Sequence, residues 1–218
     1  MDGNGNPFDL LAEPYDQWYD SPFGAAVFRQ EITCLRQICP RCDGAWLEAG
    51  AGTGRFALAL GIAIGLDPSP AMLRLASARG IRAVRGHAEA IPFPDGVFDG
   101  VLMVFTLCFL EDPAAALGEC RRVLRPGGVL VLGVVPARSA WGLSYARKAA
   151  KGHPLYSSAT FYTAAETADL ATSAGFTLEA AASALLTPPD TPPDPMARPI
   201  PSADETAGFV AGRWVKPA

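Results

Sequence analysis

Residues 45–70 read AWLEAGAGTGRFALALGIAIGLDPSP, and the rest of the chain is organised around them. Ala45-Trp46-Leu47 is a short apolar strand that runs into Glu48-Ala49-Gly50-Ala51-Gly52-Thr53-Gly54. Glycines there let the chain turn sharply and let a ligand approach the main chain where a Cβ would clash. A helical run over residues 56–60 follows, then a second strand over residues 62–66 that ends on Asp67. Strand, glycine turn, helix, strand and terminal acid make a nucleotide-binding βαβ half-unit. Its acid is placed to accept hydrogen bonds from ribose hydroxyls.

Downstream, Ser69-Pro70 opens a predicted helix carrying Met72, Leu73, Leu75 and Ala76, stopped at Gly80. Residues 81–84 read as a third strand, and residues 85–100, rich in Pro and Gly, as a loop with at most a helical turn. A fourth strand continues from Phe98-Asp99 through residues 101–105, apolar throughout as a strand buried on both faces should be. Asp112-Pro113 starts a helix that ends at Arg125-Pro126-Gly127-Gly128, and residues 129–135 form a fifth strand. Strands alternating with helices over residues 45–135 demand a parallel sheet with right-handed crossovers.

Upstream, residues 1–44 read as a helical arm, with Phe8, Leu10, Leu11, Tyr15, Trp18 and Tyr19 at spacings that share one face. A second arm helix carries Ala26, Val27, Ile32, Leu35 and Ile38. The aromatic stripe is either packing or a cover over the glycine turn. After the fifth strand, residues 136–160 are expected to be irregular. A helix over 163–174 and strands over 176–186 and 205–215 complete the chain. Prolines exclude regular structure from the intervening TPPDTPPDPMARPIPSAD, residues 187–204. No internal repeat is visible, and residues 1–218 are expected to form a single domain: arm 1–44, core 45–135, cap 136–218.

Composition narrows the function. At 50% hydrophobic and 18% charged residues, the chain can bury a sizeable core. A net charge of -4 gives no reason to expect a nucleic-acid surface. The longest apolar run, residues 101–110, is too short for membrane insertion. The opening MDGNGNPFDLLAEPYD has no basic region ahead of an apolar run, so no secretory signal is expected. Five cysteines without such a signal fit free thiols in the cytoplasm. Cys39-Pro40-Arg41-Cys42 is formally a CxxC, with Cys34 nearby. It closes a helix instead of opening one and has no second ligand pair, so no metal site is expected.

Five elements together resemble the class I S-adenosylmethionine-dependent methyltransferases, most of all the small-molecule branch that includes the ubiquinone and menaquinone biosynthesis enzymes. They are residues 47–55 (LEAGAGTGR), 65–73 (GLDPSPAML), 88–95 (AEAIPFPD), Phe98-Asp99 and 122–128 (RVLRPGG). The resemblance implies an α/β, Rossmann-like fold with a seven-stranded, mostly parallel sheet, the last strand antiparallel between the fifth and sixth, and helices on both faces. The implied cofactor is S-adenosylmethionine. A dinucleotide fingerprint would be GxGxxG; here the spacing is Gly50-x-Gly52-x-Gly54 behind Glu48, whose carboxylate suits a sulfonium and repels a pyrophosphate. An NAD-dependent oxidoreductase is thereby disfavoured.

Residue by residue, the resemblance sets Gly50, Gly52, Thr53 and Gly54 beside the methionine part of the cofactor and Asp67 on the ribose. Pro68, Ser69 and Met72 would pack near the adenine. The family commonly has an acid at the place of His87, so the chain departs there; Ala88 N–H and Glu89 remain candidates for the adenine, and His87 either stacks on it or sits in solvent. Phe105 falls where the family lines the cofactor cleft, or else is core, and Tyr15 and Tyr19 are the arm's candidate cofactor contacts. Glu48 is either a ligand-side carboxylate or a solvent-facing strand end. Methyl transfer requires mainly positioning and desolvation, with a base only when the acceptor must lose a proton. His153, Tyr156, Tyr162 and Glu111 are candidate bases, and no catalytic residue is assigned. The acceptor, a small molecule, is expected between the arm, residues 136–160 and the proline-rich loop. The alternative is a non-catalytic cofactor-binding module or partner subunit. Monomer and homodimer remain open.

Overall fold

The computed structural model describes residues 6–39 and 41–218; the first five residues of the arm and Pro40 of the CxxC lie outside the described residues. The arm is two helices, α1 (Pro7–Trp18) and α2 (Pro22–Ile38), each opened by proline in its first turn and capped by Asn6 and Ser21. Such prolines are pre-set for a helix start, where their missing N–H costs nothing. The core follows as β1 (Trp46–Ala49), α3 (Arg55–Leu60), β2 (Ile64–Asp67), α4 (Pro70–Ala78), β3 (Arg82–Arg85), β4 (Phe98–Val104), α5 (Pro113–Val123) and β5 (Leu124–Val134). Then come α6 (Ala140–Ala150), α7 (Ala164–Ser173), β6 (Thr177–Ala184) and β7 (Phe209–Val215).

The seven strands form one sheet in the order β3-β2-β1-β4-β5-β7-β6. Pairing is parallel from β3 through β5, and β7 runs antiparallel to both β5 and β6, as expected. Alternate residues of the central strands feed opposite cores. Trp46, Leu102, Val104 and Val131 join the core under α2 and α3, while Leu47, Val101, Met103 and Leu130 join the one under α5 and α7. A strand buried on both faces must be apolar along its whole length, which is why β4 reads so. Between β1 and β4 the strand order reverses, and ligands of open α/β sheets lie at such a point, beyond the strands' carboxyl ends.

Two expectations need correction. Residues 136–160 are not irregular: Ala140–Ala150 is α6, capped by Ser139 Oγ, which accepts from Gly142 N–H at 3.0 Å. Gly142 does not break the helix, because a Cβ there would stand 2.2 Å from the Pro136 carbonyl and only glycine lets α6 pack that closely. Second, β5 begins at Leu124. Leu124 pairs with Phe98, and Arg125–Gly128 bulge within the strand before pairing resumes at Val129. Among the described residues, no helix is long and apolar enough to cross a membrane.

Candidate functional site

The turn after β1 is built mainly from main chain. Gly50 and Ala51 N–H donate to the Leu66 carbonyl at 2.8 and 2.9 Å, tying the turn to β2. Asp67 sits between two amides: Oδ2 accepts from Gly52 N–H at 2.8 Å and Oδ1 from Ser69 N–H at 2.9 Å. Burial raises its pKa, which those two amide bonds partly offset. A carboxylate offers about four acceptor positions, so two bonds leave capacity for hydroxyl donors.

Gly50 and Gly52 both take the left-handed backbone, φ 75° and 51°, but their surroundings differ. A Cβ on Gly50 would lie 2.2–2.7 Å from Oγ1, Cγ2 and Cβ of Thr106. A Cβ on Gly52 would meet nothing within 4 Å. The turn is therefore closed against β4 at Gly50 and open at Gly52. A main-chain cradle open beside a strand-end carboxylate fits the nucleoside of S-adenosylmethionine.

The structure places Glu48 beneath α3, not in solvent. It is 1% exposed, and its Oε2 accepts from Ala57 N–H at 2.8 Å in the first turn of that helix. Burial pushes its pKa well up, against the favourable field of the helix N-terminus. Thr53 is buried, with its carbonyl held by Arg79 Nη1 at 2.9 Å, and Gly54 N–H donates to Ala51. Ser69, fully buried, caps α4 through Met72 N–H, with Pro68 half-buried beside it. At the end of β3, Ala88 is buried, His87 is exposed, and Glu89 Oε1 accepts from Glu111 N–H at 3.2 Å.

Helix α1 lies across this turn. Asp9 accepts from Ser69 Oγ–H at 2.6 Å, and Ala12 packs on Ala71 and Met72. Asp16 is paired with Arg55 at 2.7 Å and Arg79 at 2.6 Å. Burial pushes the Asp16 carboxyl up, but the hydrogen bonds from Arg55 and Arg79 outweigh it and hold the group at about 2. An arm held by two guanidinium partners is fixed over the glycine turn.

Beyond the turn, Tyr15 and Tyr19 line a cavity of about 460 Å³. Its wall continues through Phe105, Trp141, Tyr145 and Tyr156. Phe105, with φ 58°, joins the two sites: it follows β4, precedes the Thr106 that closes on Gly50, and packs edge-on to Phe56 and Phe209. Leu185, also at φ 58°, lines the cavity too. Side chains rarely take this conformation, and it clusters where surrounding structure over-determines it. Of the candidate bases, His153, Tyr156 and Tyr162 line the cavity and Glu111 does not. His153 and Tyr145 both stack on Tyr156, with ring centroids 4.6 Å from it in each case.

The proline-rich loop contributes Pro189 to the lining. It also holds the wall in place: the Thr187 carbonyl accepts from Trp141 Nε1–H at 2.8 Å, and that of Asp194 from Gln30 Nε2–H at 2.5 Å. Cys39 and Cys42, their Sγ atoms 3.9 Å apart, lie at the end of α2 and outside the cavity lining.

Sequence reasoning missed Glu31, Thr106 and Trp141. Glu31 lines the cavity at 3% exposure, with Oε2 unpartnered among the described residues, and burial pushes its pKa to about 8. A signal existed: Glu31 falls at helical spacing with Val27, Cys34, Leu35 and Ile38, the buried face of α2. A carboxyl on an apolar stripe asks for a reason.

Residues 47–132 match the model of a family described as a methyltransferase domain. An uncharacterized protein of Mycobacterium tuberculosis is 46% identical over 178 residues, which make up 82% of this chain and 62% of that protein. The chain thus spans less than two thirds of that relative's length. A demethylmenaquinone methyltransferase of Thermus thermophilus is 42% identical over 113 residues, 45% of this chain and 51% of its own. Among solved structures, one from Thermotoga maritima superposes with a TM-score of 0.86 at 33% identity, covering 96% of this chain and 98% of that one. It is described as a SAM-dependent methyltransferase, possible histamine N-methyltransferase.

Proposed function

The chain belongs to the class I S-adenosylmethionine-dependent methyltransferases, and from that premise we propose that it transfers a methyl group to a small molecule seated in the aromatic cavity. The cavity carries the reading. At about 460 Å³ it falls within the roughly 300–1,000 Å³ of small-molecule sites, and Phe105 joins it to the glycine turn. S-adenosylmethionine, when bound, supplies a methyl on a positively charged sulfonium and a neutral thioether leaving group.

The chain's own part is to hold two reactants in line and to exclude water. Gly50, Gly52 and Gly54 pass the main chain close to the methionine part, and Asp67 receives the ribose hydroxyls. Pro68, Ser69, Met72, His87, Ala88 and Glu89 border the adenine, and Glu48 supports the turn from below. Tyr15 and Tyr19, on the arm that Asp16 fastens, close the site from above. Five free cysteines fit a reducing, cytoplasmic setting.

Calorimetry with S-adenosylmethionine, S-adenosylhomocysteine and NAD tests the cofactor, and transfer of labelled methyl to a panel of small amines, phenols and thiols tests the reaction. Binding of the first two ligands, none of NAD, and label in a small acceptor are expected. Binding without transfer to any acceptor would leave a module in place of an enzyme.

A further inference from the structure

Helix α2 places a carboxyl on the apolar wall of the cavity. Glu31 is 3% exposed, and among the described residues its Oε2 has no hydrogen-bond partner. An isolated buried carboxylate is costly unless it is paired or protonated. The surroundings favour a cation as the missing partner. Tyr15 from α1, Tyr19 from the turn after it and Tyr145 from α6 line the cavity with Glu31, and Cys34 lies one turn further along the same helix. Aromatic faces attract a desolvated cation. The cavity's own basic groups stand apart: exposed Lys148 lies over the rings of Tyr145 and Tyr156, 5.2 and 5.9 Å away, and His153 stacks on Tyr156. Tyr162 and Cys108 also line the cavity and bear no charge at neutral pH.

We propose that Glu31 is the acceptor-recognition group and that the acceptor is a small amine, bound as its ammonium with the nitrogen against the Glu31 carboxyl. The proposal rests on the methyltransferase reading above and adds the substrate class. An ammonium pairs with the ionised carboxylate and meets ring faces at once; a phenol or alcohol offers one neutral hydrogen bond and leaves the carboxyl protonated. The ammonium passes one proton to the Glu31 carboxylate. The freed lone pair then forms the N–C bond as the sulfonium C–S bond breaks, and sulfur keeps that electron pair. The products are a methylammonium, a thioether and a protonated Glu31, which is its resting form at neutral pH, so the one proton lost overall is the one released as the amine binds. Burial holds Glu31 at about 8, near enough to an alkylamine for the proton to pass.

Phenethylamine, 2-phenylethanol and 3-phenylpropionate, titrated calorimetrically into the full chain, test this. The amine is expected to bind in preference to the other two, and Glu31→Gln to weaken it at least about tenfold, as for a charge-assisted bond, with Glu31→Asp recovering part. In the wild type, amine affinity rises with pH towards 8 and is flat in Glu31→Gln. Independently of any variant, buffers of differing ionisation enthalpy should show a proton released as the amine binds near neutral pH. Amine binding that is absent, that Glu31→Gln leaves unchanged, or that releases no proton overturns the proposal. So does an equal loss of S-adenosylmethionine affinity in Glu31→Gln, which would put the carboxyl on the cofactor. Glu31-dependent amine binding without methyl transfer would sink the enzymatic reading and keep this one; methyl transfer to alcohols or thiols without Glu31 dependence would do the reverse.

Discussion

The glycine turn and the aromatic cavity lie side by side at the carboxyl edge of one sheet and are made in opposite ways. The turn draws its hydrogen bonds from residues 50–69, mostly from backbone amides whose positions follow once β1 and β2 pair. The cavity is made of side chains from α1, α2, the end of β4, α6 and the segment after β6, far apart in the chain. A backbone site tolerates sequence change except where a Cβ would intrude. A side-chain site can be respecified one residue at a time, while the cofactor machinery beside it stays as it is.

The sharpest way to break this contrast is Gly50→Ala. It forces a left-handed alanine and sets a methyl 2.2–2.7 Å from Thr106, so a loss of about 3 kcal/mol is expected by urea unfolding. Adding Thr106→Ala should return part of it. A single-variant loss below about 1 kcal/mol would mean the turn does not depend on its contact with Thr106.

Asp16→Asn comes next. Losing the charge between Arg55 and Arg79 should cost about 2 kcal/mol and expose α1 to proteolysis before the core opens. Because the folded Asp16 carboxyl sits below its unfolded value, its contribution is complete above about pH 4 and disappears as pH falls towards 2. Wild-type stability should drop through that window more steeply than that of the Asn variant; parallel curves would show that the arm is held by something else.

Gly52→Ala separates folding from ligand binding. With nothing within 4 Å of the new methyl, only the backbone strain, about 1 kcal/mol, should appear in unfolding. S-adenosylmethionine affinity should nevertheless fall about tenfold or more, since the methyl occupies the cradle. Unchanged affinity would place the ligand elsewhere. The smallest effect is expected from Pro189→Ala, less than about twofold in turnover, because the proline-rich loop acts mainly through the Thr187 and Asp194 carbonyls, which any residue supplies.

Legibility followed the same divide. Glu48 to Asp67 could be placed because turn, strand and acid lie within one short stretch and obey local rules of glycine and hydrophobic period. The antiparallel place of β7 came with the family resemblance. Helix α6 was missed because Gly142 and Gly152 look like breakers, and only contact with the Pro136 carbonyl shows why one of them belongs inside a helix. Thr106 gave no sign, since its role is to fill the space a Cβ on Gly50 would need. Glu48 read as a ligand-side carboxylate or a solvent-facing strand end, and its burial under the first turn of α3 excludes the second.

Local order in the chain was enough to establish the half-unit and the carboxyl edge at which a ligand belongs, and the family resemblance added its cofactor class. The unpaired state of Glu31 needed the folded molecule. Whether a carboxyl is solvated or stranded depends on what surrounds it, and the surroundings here come from residues 15, 19 and 145, which approach residue 31 only when the arm and α6 close over the sheet.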